Sequence, residues 1–207
     1  MKNVSCSVVV APLRKEPSHR SEMVSQLLLN EHAAVLETEK QFTKVRCLYD
    51  DYEGWIANNQ IVPVNEPASI INDSVTSLDA ASIRQTALTY LDVPYLWGGK
   101  SKCGIDCSGF CQQVFKSFGI KLPRDAYQQA ALGEVVGFLL EAQGGDLAFF
   151  DNEEGRITHV GIMLSTDEII HASGKVRIDK IDNQGIIHSQ TGARTHKLRI
   201  IKRYKKP

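Results

Sequence analysis

Three cysteines spaced by four residues, Cys103, Cys107 and Cys111, lie in the segment "VPYLWGGKSKCGIDCSGFCQQVFKSFGIKLP". Thiols in such a set either hold a metal or supply a nucleophile. The metal reading fails on its surroundings: Cys103 precedes the helical pattern, no CxxC or HxxC pair accompanies the set, and a zinc-bound Cys107 would be quenched as a nucleophile. Position favours the nucleophile. Gly98, Gly99 and Gly104 permit a tight loop, and from Ser108 onward Phe110, Val114, Phe115 and Phe118 recur at helical spacing. Cys107 therefore sits at or next to a helix N-terminus, where unpaired backbone N–H groups favour a thiolate. Cys111, one turn further on, reads as a small buried apolar residue.

A helix terminus alone does not activate a thiol. Lowering a cysteine pKa from about 8.5 to about 6 requires roughly 3.4 kcal/mol, whereas the dipole supplies roughly 0.3 to 1 and seldom near 2. A cationic partner is expected, and histidine is suited to it because its protonated form pairs with the thiolate and then protonates a leaving amine. Of the six histidines, His19 and His32 lie in the first half, and His188 and His196 stand in polar C-terminal context. His159 opens the strand-like run "HVGIML", and His171 follows "EII" in the next one. Both can project from neighbouring strands of one sheet, which holds a base and its orienting partner more rigidly than a loop does.

The elements that must position these residues change character along the chain. From Val4 to about Val64, short β-branched segments (an opening strand from Val4, then Ala33 to Glu37, Thr43 to Tyr49 and Gly54 to Ile56) alternate with turn residues Asn30, Asp50, Asp51 and Asn58, the pattern of a small all-β barrel. "NEPASIINDSVTS", Asn65 to Ser77, has the composition of a linker. From Leu78 the period changes: Ala80, Ile83, Ala87, Leu88 and Leu91 recur at three and four, an amphipathic helix ending before Pro94. The expected organisation is a first domain over 1–64, a linker over 65–77 and a catalytic domain over 78–207.

The chain has 207 residues, with 24 Lys plus Arg against 24 Asp plus Glu, so no overall field concentrates nucleic acid or anionic lipid. No apolar run approaches the 18 residues that a membrane span needs, and the N-terminus is too short and polar for a signal peptide. A cytoplasmic location is expected, and five cysteines spread along the chain suit free thiols in a reducing compartment. Neither nucleic acid nor membrane is expected as a partner, no cofactor is called for, and a monomer is anticipated.

Two resemblances sharpen this reading. The order "LRKEPSHRSEMVSQLLLNE", "AVLE", "TKVRCLYDDYEGWI" and "NNQIVPV" resembles a bacterial SH3-like domain with Gly54-Trp55-Ile56 in its penultimate strand. "DCSGF" at Asp106 to Phe110, preceded by "PYLWGG" and followed by "LPRDAYQQ", "GDLAFF", "HVGIML" and "IIHASG", resembles the NlpC/P60 family of papain-like cysteine peptidases over roughly residues 80 to 204. The resemblance implies two domains, an N-terminal all-β SH3-like barrel followed by an α+β papain-like domain with helices packed on an antiparallel sheet. It also implies Cys107 as nucleophile, His159 as general base and acid, and His171 as the residue orienting His159. The oxyanion would be met by the backbone N–H of Cys107 with help from the Tyr95 hydroxyl.

The family generally cuts cell-wall stem peptides between D-γ-glutamate and a diamino acid, meso-diaminopimelate or lysine. An SH3-like domain in front resembles the subgroup that trims muropeptides with a free N-terminal L-alanine, as in wall-peptide recycling. An ammonium held in a cleft needs a carboxylate, and Asp125 is the first candidate, with Asp106 and Ser108 toward the D-glutamyl part. Tyr52 and Glu22 of the first domain are expected to reach over the cleft and bar longer substrates. Arg124 is a carboxylate ligand or a partner in a salt bridge within its own domain. The alternatives are a papain-like amidase or acyltransferase on another substrate, which would want an apolar acyl channel, and a non-catalytic wall-binding protein, which the intact Cys107, His159 and His171 oppose.

Overall fold

A computed structural model describes residues 2–65 and 79–205. All but the first residue of the expected linker lies outside the described residues. The chain forms two compact units, Met1–Ile71 together with Leu96–Ser101, and Asn72–Tyr95 together with Lys102–Pro207.

The first unit is built from β1 (Asn3–Cys6), β2 (Val10–Arg14), β3 (Met23–Leu28), β4 (His32–Glu39), β5 (Phe42–Cys47), β6 (Glu53–Ala57) and β7 (Ile61–Val64). They join antiparallel in the order β3-β2-β6-β5-β4-β1-β7. The opening apolar run thus becomes two strands, β1 and β2. Alternation directs Val4, Cys6, Leu13, Leu27, Val45, Cys47 and Ile56 into one core, and Trp55 packs with Phe42 and Ala57 in a smaller cluster.

Leu96–Ser101, from the second half of the chain, belongs to this first unit and includes the short strand β8 (Lys100–Ser101). The Trp97 indole donates to Glu22 at 2.9 Å, and the Lys100 amide donates to the Gln26 side chain at 2.7 Å. The Lys100 ammonium, 1% exposed, lies 3.6 Å from Glu31 and 3.8 Å from Asp50. Burying an ammonium is costly unless carboxylates meet it, and here two do.

The second unit opens with α1 (Ala80–Leu88), capped by Asp79, which accepts from the Ser82 amide at 2.8 Å. The helix stops short of Leu91, which is 43% exposed. Then follow β9 (Gly104–Ile105), α2 (Cys107–Lys116), α3 (Ala126–Ala130) and the strands β10 (Glu134–Val136), β11 (Leu147–Asp151), β12 (Ile157–Met163), β13 (Glu168–Ser173), β14 (Lys175–Asp182), β15 (Gly185–Ile187) and β16 (Arg194–Arg203). The sheet runs β10-β16-β11-β12-β13-β14-β15. Its long last strand also pairs with β15 through Arg194 to Lys197, so six strands close into a barrel, with β10 paired to the far end of β16. The antiparallel sheet was expected from sequence; its closure was not.

Closure explains why "LAFFD" in β11 is buried throughout. Leu147 and Phe149, with Val160, Ile162, Ile170 and Ala172, pack against Phe110, Val114 and Phe115 of α2. Ala148 and Phe150, with Met163, Ile169, Ile181, Ile186 and Ile201, fill a second core. The seam depends on Gly185, whose φ of 138° lies where L side chains are strained, and a Cβ there would stand 1.7 Å from the His196 carbonyl oxygen. Gly185→Ala is expected to cost about 3 kcal/mol or more, which lowers the melting temperature by roughly 6 to 12 °C. A melting temperature within 2 °C of wild type in a thermal scan would show that the seam is not a constraint.

Candidate active site

Asp106 decides where α2 begins. Its extended backbone and its carboxylate, which accepts from the Gly109 amide at 2.7 Å, make it the N-cap. Cys107 is therefore the first residue of the helix. Arg124, 1% exposed, clamps the cap: its guanidinium donates to both Asp106 oxygens at 3.0 and 2.5 Å and to the Ser108 hydroxyl at 2.9 Å. Of the two readings of Arg124, the salt bridge within its own domain is the one found. Asp106 and Ser108, expected toward the D-glutamyl part of a substrate, both belong to this buried network, because a desolvated guanidinium takes the nearest carboxylate.

The thiol departs from expectation in its electrostatics. Cys107 is 6% exposed, and burial pushes its pKa up to about 12, with the Asp106 charge adding to the rise. Backbone N–H groups of Val160 and Ser108 and the Arg124 charge act in the opposite direction and are outweighed. The helix N-terminus does favour the thiolate, but the loss of water around the sulfur costs more than the dipole returns. Cys111 is fully buried one turn on, as expected, and Cys103 is exposed; all five cysteines are free thiols.

Beside the thiol runs β12. His159 lies on it, adjacent to Val160, and β11 shifts register against β12 by a bulge between Phe150 and Asp151, opposite His159. Such bulges re-aim side chains next to active sites. His171 on β13 pairs with Gly161, where a Cβ would lie 2.8 Å from the His171 Cβ. Glycine in "HVGIML" is thus the residue that lets the two strands bring their histidines together: His159 Nε2 and His171 Nδ1 are 2.8 Å apart. Burial holds His159 well below the ordinary histidine pKa, with His171 and His196 reinforcing the shift, and burial also lowers His171 against the opposing pull of Asp179. Burial thus disfavours the charged form of both rings.

Three neighbours were not recognised from sequence. Asp179 on β14 stands 3.1 Å from His171 Nε2 and accepts from the Ser189 amide at 2.8 Å and from Arg177 at 3.0 Å. Burial would raise its pKa, but these hydrogen bonds outweigh it and keep the carboxyl far below its usual range. His196 stacks on His159 with ring centroids 4.1 Å apart and is held at about 4 by burial, then by His171. His188 lies 2.7 Å from Arg177. Pairing the strand register of "HASGKVRID" would have aligned Arg177 with His171 and so placed Asp179 two residues along the same face.

The remaining expected residues fall as follows. Tyr95 is half-buried, and its phenol is raised by burial and then by the charges of Cys107 and Asp106, which places it beside the thiol. Asp125 is half-buried and caps α3 in a capping box with Gln128, whose side chain accepts from the Asp125 amide at 3.2 Å. In the first unit, Glu22 is engaged by Trp97 rather than presented alone, and half-buried Tyr52 lies just before β6, its amide donating to Asp50 at 3.2 Å. Among the described residues no group of three His, Cys, Asp or Glu is arranged to hold a metal.

The chain is similar to known proteins in both of its units. Residues 92–195 match the NlpC/P60 family and residues 13–61 the bacterial dipeptidyl-peptidase Sh3 domain. The chain is 35% identical over 140 residues to the gamma-D-glutamyl-L-lysine dipeptidyl-peptidase of Bacillus subtilis (strain 168), covering 67% of this chain and 43% of that protein. It is 43% identical over 83 residues to the murein DD-endopeptidase MepS/murein LD-carboxypeptidase of Escherichia coli (strain K12), covering 39% and 43%. The chain thus spans less than half the length of either relative. The crystal structure of an NlpC/P60 family protein from Bacillus cereus ATCC 10987 superposes with a TM-score of 0.56 at 25% identity, over 98% of this chain and 63% of that one. With Cys107 at the head of its buried helix and His159 and His171 on adjoining strands, each inside the matched region, the chain belongs to the NlpC/P60 family of cysteine peptidases.

Proposed function

We propose that this protein hydrolyses the γ-D-glutamyl–diamino acid amide of murein stem peptides that carry a free N-terminal L-alanine, in the recycling of wall peptides. The observation that carries the reading is the thiol of Cys107 at a helix N-terminus, beside a strand whose His159 is hydrogen-bonded to His171 at 2.8 Å. The choice of amide is supported by the relative named a gamma-D-glutamyl-L-lysine dipeptidyl-peptidase, a name that describes release of a dipeptide from a free amino end.

The raised thiol and the lowered imidazole set the order of events. Thiol and imidazole are both neutral in the resting site, so the Cys107 proton passes to His159 as the sulfur attacks the carbonyl carbon. Negative charge on the carbonyl oxygen is met by the Cys107 backbone N–H, which has no partner within the helix, and by the Tyr95 hydroxyl. His159 then gives its proton to the leaving amine of the diamino acid. Water, deprotonated by the same imidazole, hydrolyses the thioester and frees Cys107. Asp125, at the head of α3, is the carboxylate assigned to the substrate ammonium.

Two measurements test this. Mass spectrometry of L-Ala-γ-D-Glu-L-Lys and L-Ala-γ-D-Glu-meso-diaminopimelate, each with its amine free or acetylated, is expected to show L-Ala-D-Glu released from a free-amine peptide only, with at least a thousandfold loss in Cys107→Ala. Cleavage of acetylated peptides at the same rate would remove the amine requirement and the role of Asp125, and release by Cys107→Ala would remove the nucleophile. Peptide-resolved alkylation by iodoacetamide is expected to rise about tenfold per pH unit at Cys107 from pH 7 to 10 without a plateau, since the thiolate fraction grows up to a pKa of about 12. A plateau reached below pH 8 would mean that a thiolate–imidazolium pair exists before substrate arrives.

A further inference from the structure

The line of hydrogen bonds behind Cys107 does not end at His171. We infer that Asp179 is a positioning residue that fixes the tautomers of both histidines in series, so that the ring nitrogen of His159 left for the thiol is always an acceptor. The inference rests on the reading of His159 as the base for Cys107.

Asp179 is 2% exposed and acts only as an acceptor while ionised. Its Oδ1 accepts from the Ser189 amide at 2.8 Å and Arg177 Nη2 at 3.0 Å, and Arg177 Nε lies 3.0 Å from its Oδ2. Oδ2 is 3.1 Å from His171 Nε2, so a neutral His171 must carry its single proton on Nε2. Its Nδ1 is then a lone pair. That lone pair faces His159 Nε2 at 2.8 Å, so His159 in turn must carry its proton on Nε2. What remains on His159 is an unprotonated Nδ1, which takes the thiol proton when Cys107 attacks. One carboxylate thus determines the protonation pattern two rings away, and each link is a contact between adjoining strands: β14 to β13, then β13 to β12.

The groups around the pair do not supply an alternative. From β16, His196 meets both rings through its π face and edge, stacked on His159 at 4.1 Å and edge-on to His171 at 5.8 Å. Arg177 and, behind it, His188 contact the carboxylate side, with Arg177 Nη1 2.7 Å from His188 Nε2. Phe150 packs tilted against His159 at 5.7 Å.

Asp179→Asn tests the relay because it preserves shape and reverses one atom. The Ser189 amide and Arg177 hold the carbonyl oxygen, leaving the NH2 directed at His171 Nε2. Donor would face donor, His171 shifts its proton to Nδ1, and His159 must then carry its proton on Nδ1, pointing a hydrogen at the thiol. An Asp-to-Asn change behind a catalytic histidine lowers turnover about 10⁴-fold in the serine proteases by the same loss of tautomer. Here, with an extra ring in the series, kcat on the free-amine peptide is expected to fall about 10²- to 10⁴-fold with KM within threefold.

The decisive readout needs no substrate. In ¹⁵N–¹H spectra of histidine-labelled protein, assigned by single histidine substitutions, wild type is expected to show Nε2–H on both His159 and His171, and Asp179→Asn to show Nδ1–H on both. Nδ1–H on His159 in wild type overturns the relay whether or not the variant folds. Unchanged tautomers in a folded Asp179→Asn, or flipped tautomers with unchanged kcat, overturn it equally. If wild type cleaves neither peptide, the substrate reading fails while the tautomers still decide the relay.

Discussion

Two imidazoles held 2.8 Å apart in a nearly dry interior are the constraint around which the second unit is arranged. Neither ring takes up a proton without loss, because burial removes the water that would solvate the imidazolium. The pair therefore works only if supporting atoms are fixed before substrate arrives. The fold meets that condition with strands rather than loops: glycine opposite His171, a bulge opposite His159, and a closed ring of hydrogen bonds that prevents β13 and β14 from sliding. A barrel has no free edge at which register can slip, which suits a site whose members come from β12, β13, β14 and β16.

The thiol shows the same logic from the other side. Cys107 is placed by a cap, and the cap is placed by a buried arginine. Asp106 thereby has its charge paired with Arg124 and its geometry fixed at once, and the helix begins at a defined residue. Removing Arg124 would leave a carboxylate buried beside the sulfur with its main counter-charge gone, which is why the residue belongs to the architecture of the site.

Local patterns reveal part of this. Glycines followed by helical spacing locate Cys107, and alternation in "HVGIML" and "EIIHAS" locates the two histidines on strands. What the sequence conceals is set by contacts distant along the chain. Asp179 lies in "KVRIDKID", where charged residues alternate as they do on any solvated strand, and His196 sits in "RTHKLRI", equally polar. Both are drawn inward by closure through β15 and β16, which joins residues that no local period connects. The direction of the thiol shift is concealed for a similar reason. A helix dipole is visible from local spacing, whereas the depth of burial that overrides it is set by the whole tertiary packing around Cys107. Glu22 and Asp106 also each hold a neighbour, Trp97 or Arg124, whose proximity only the fold creates.

The placement of Lys100 bears on how the molecule can be divided. It is numbered with the catalytic half, yet its ammonium is enclosed by Glu31 and Asp50 and its amide is held by Gln26 of the first unit. A fragment beginning after the linker would carry this cation stripped of both counter-charges, a few residues ahead of the nucleophile. Genetic shuffling that exchanges the front module would meet the same obstacle unless the new module offers two acids and an amide acceptor at matching positions. Lys100 and its two acids thus form one electrostatic group within the first unit, one that a cut at residues 65–77 would divide.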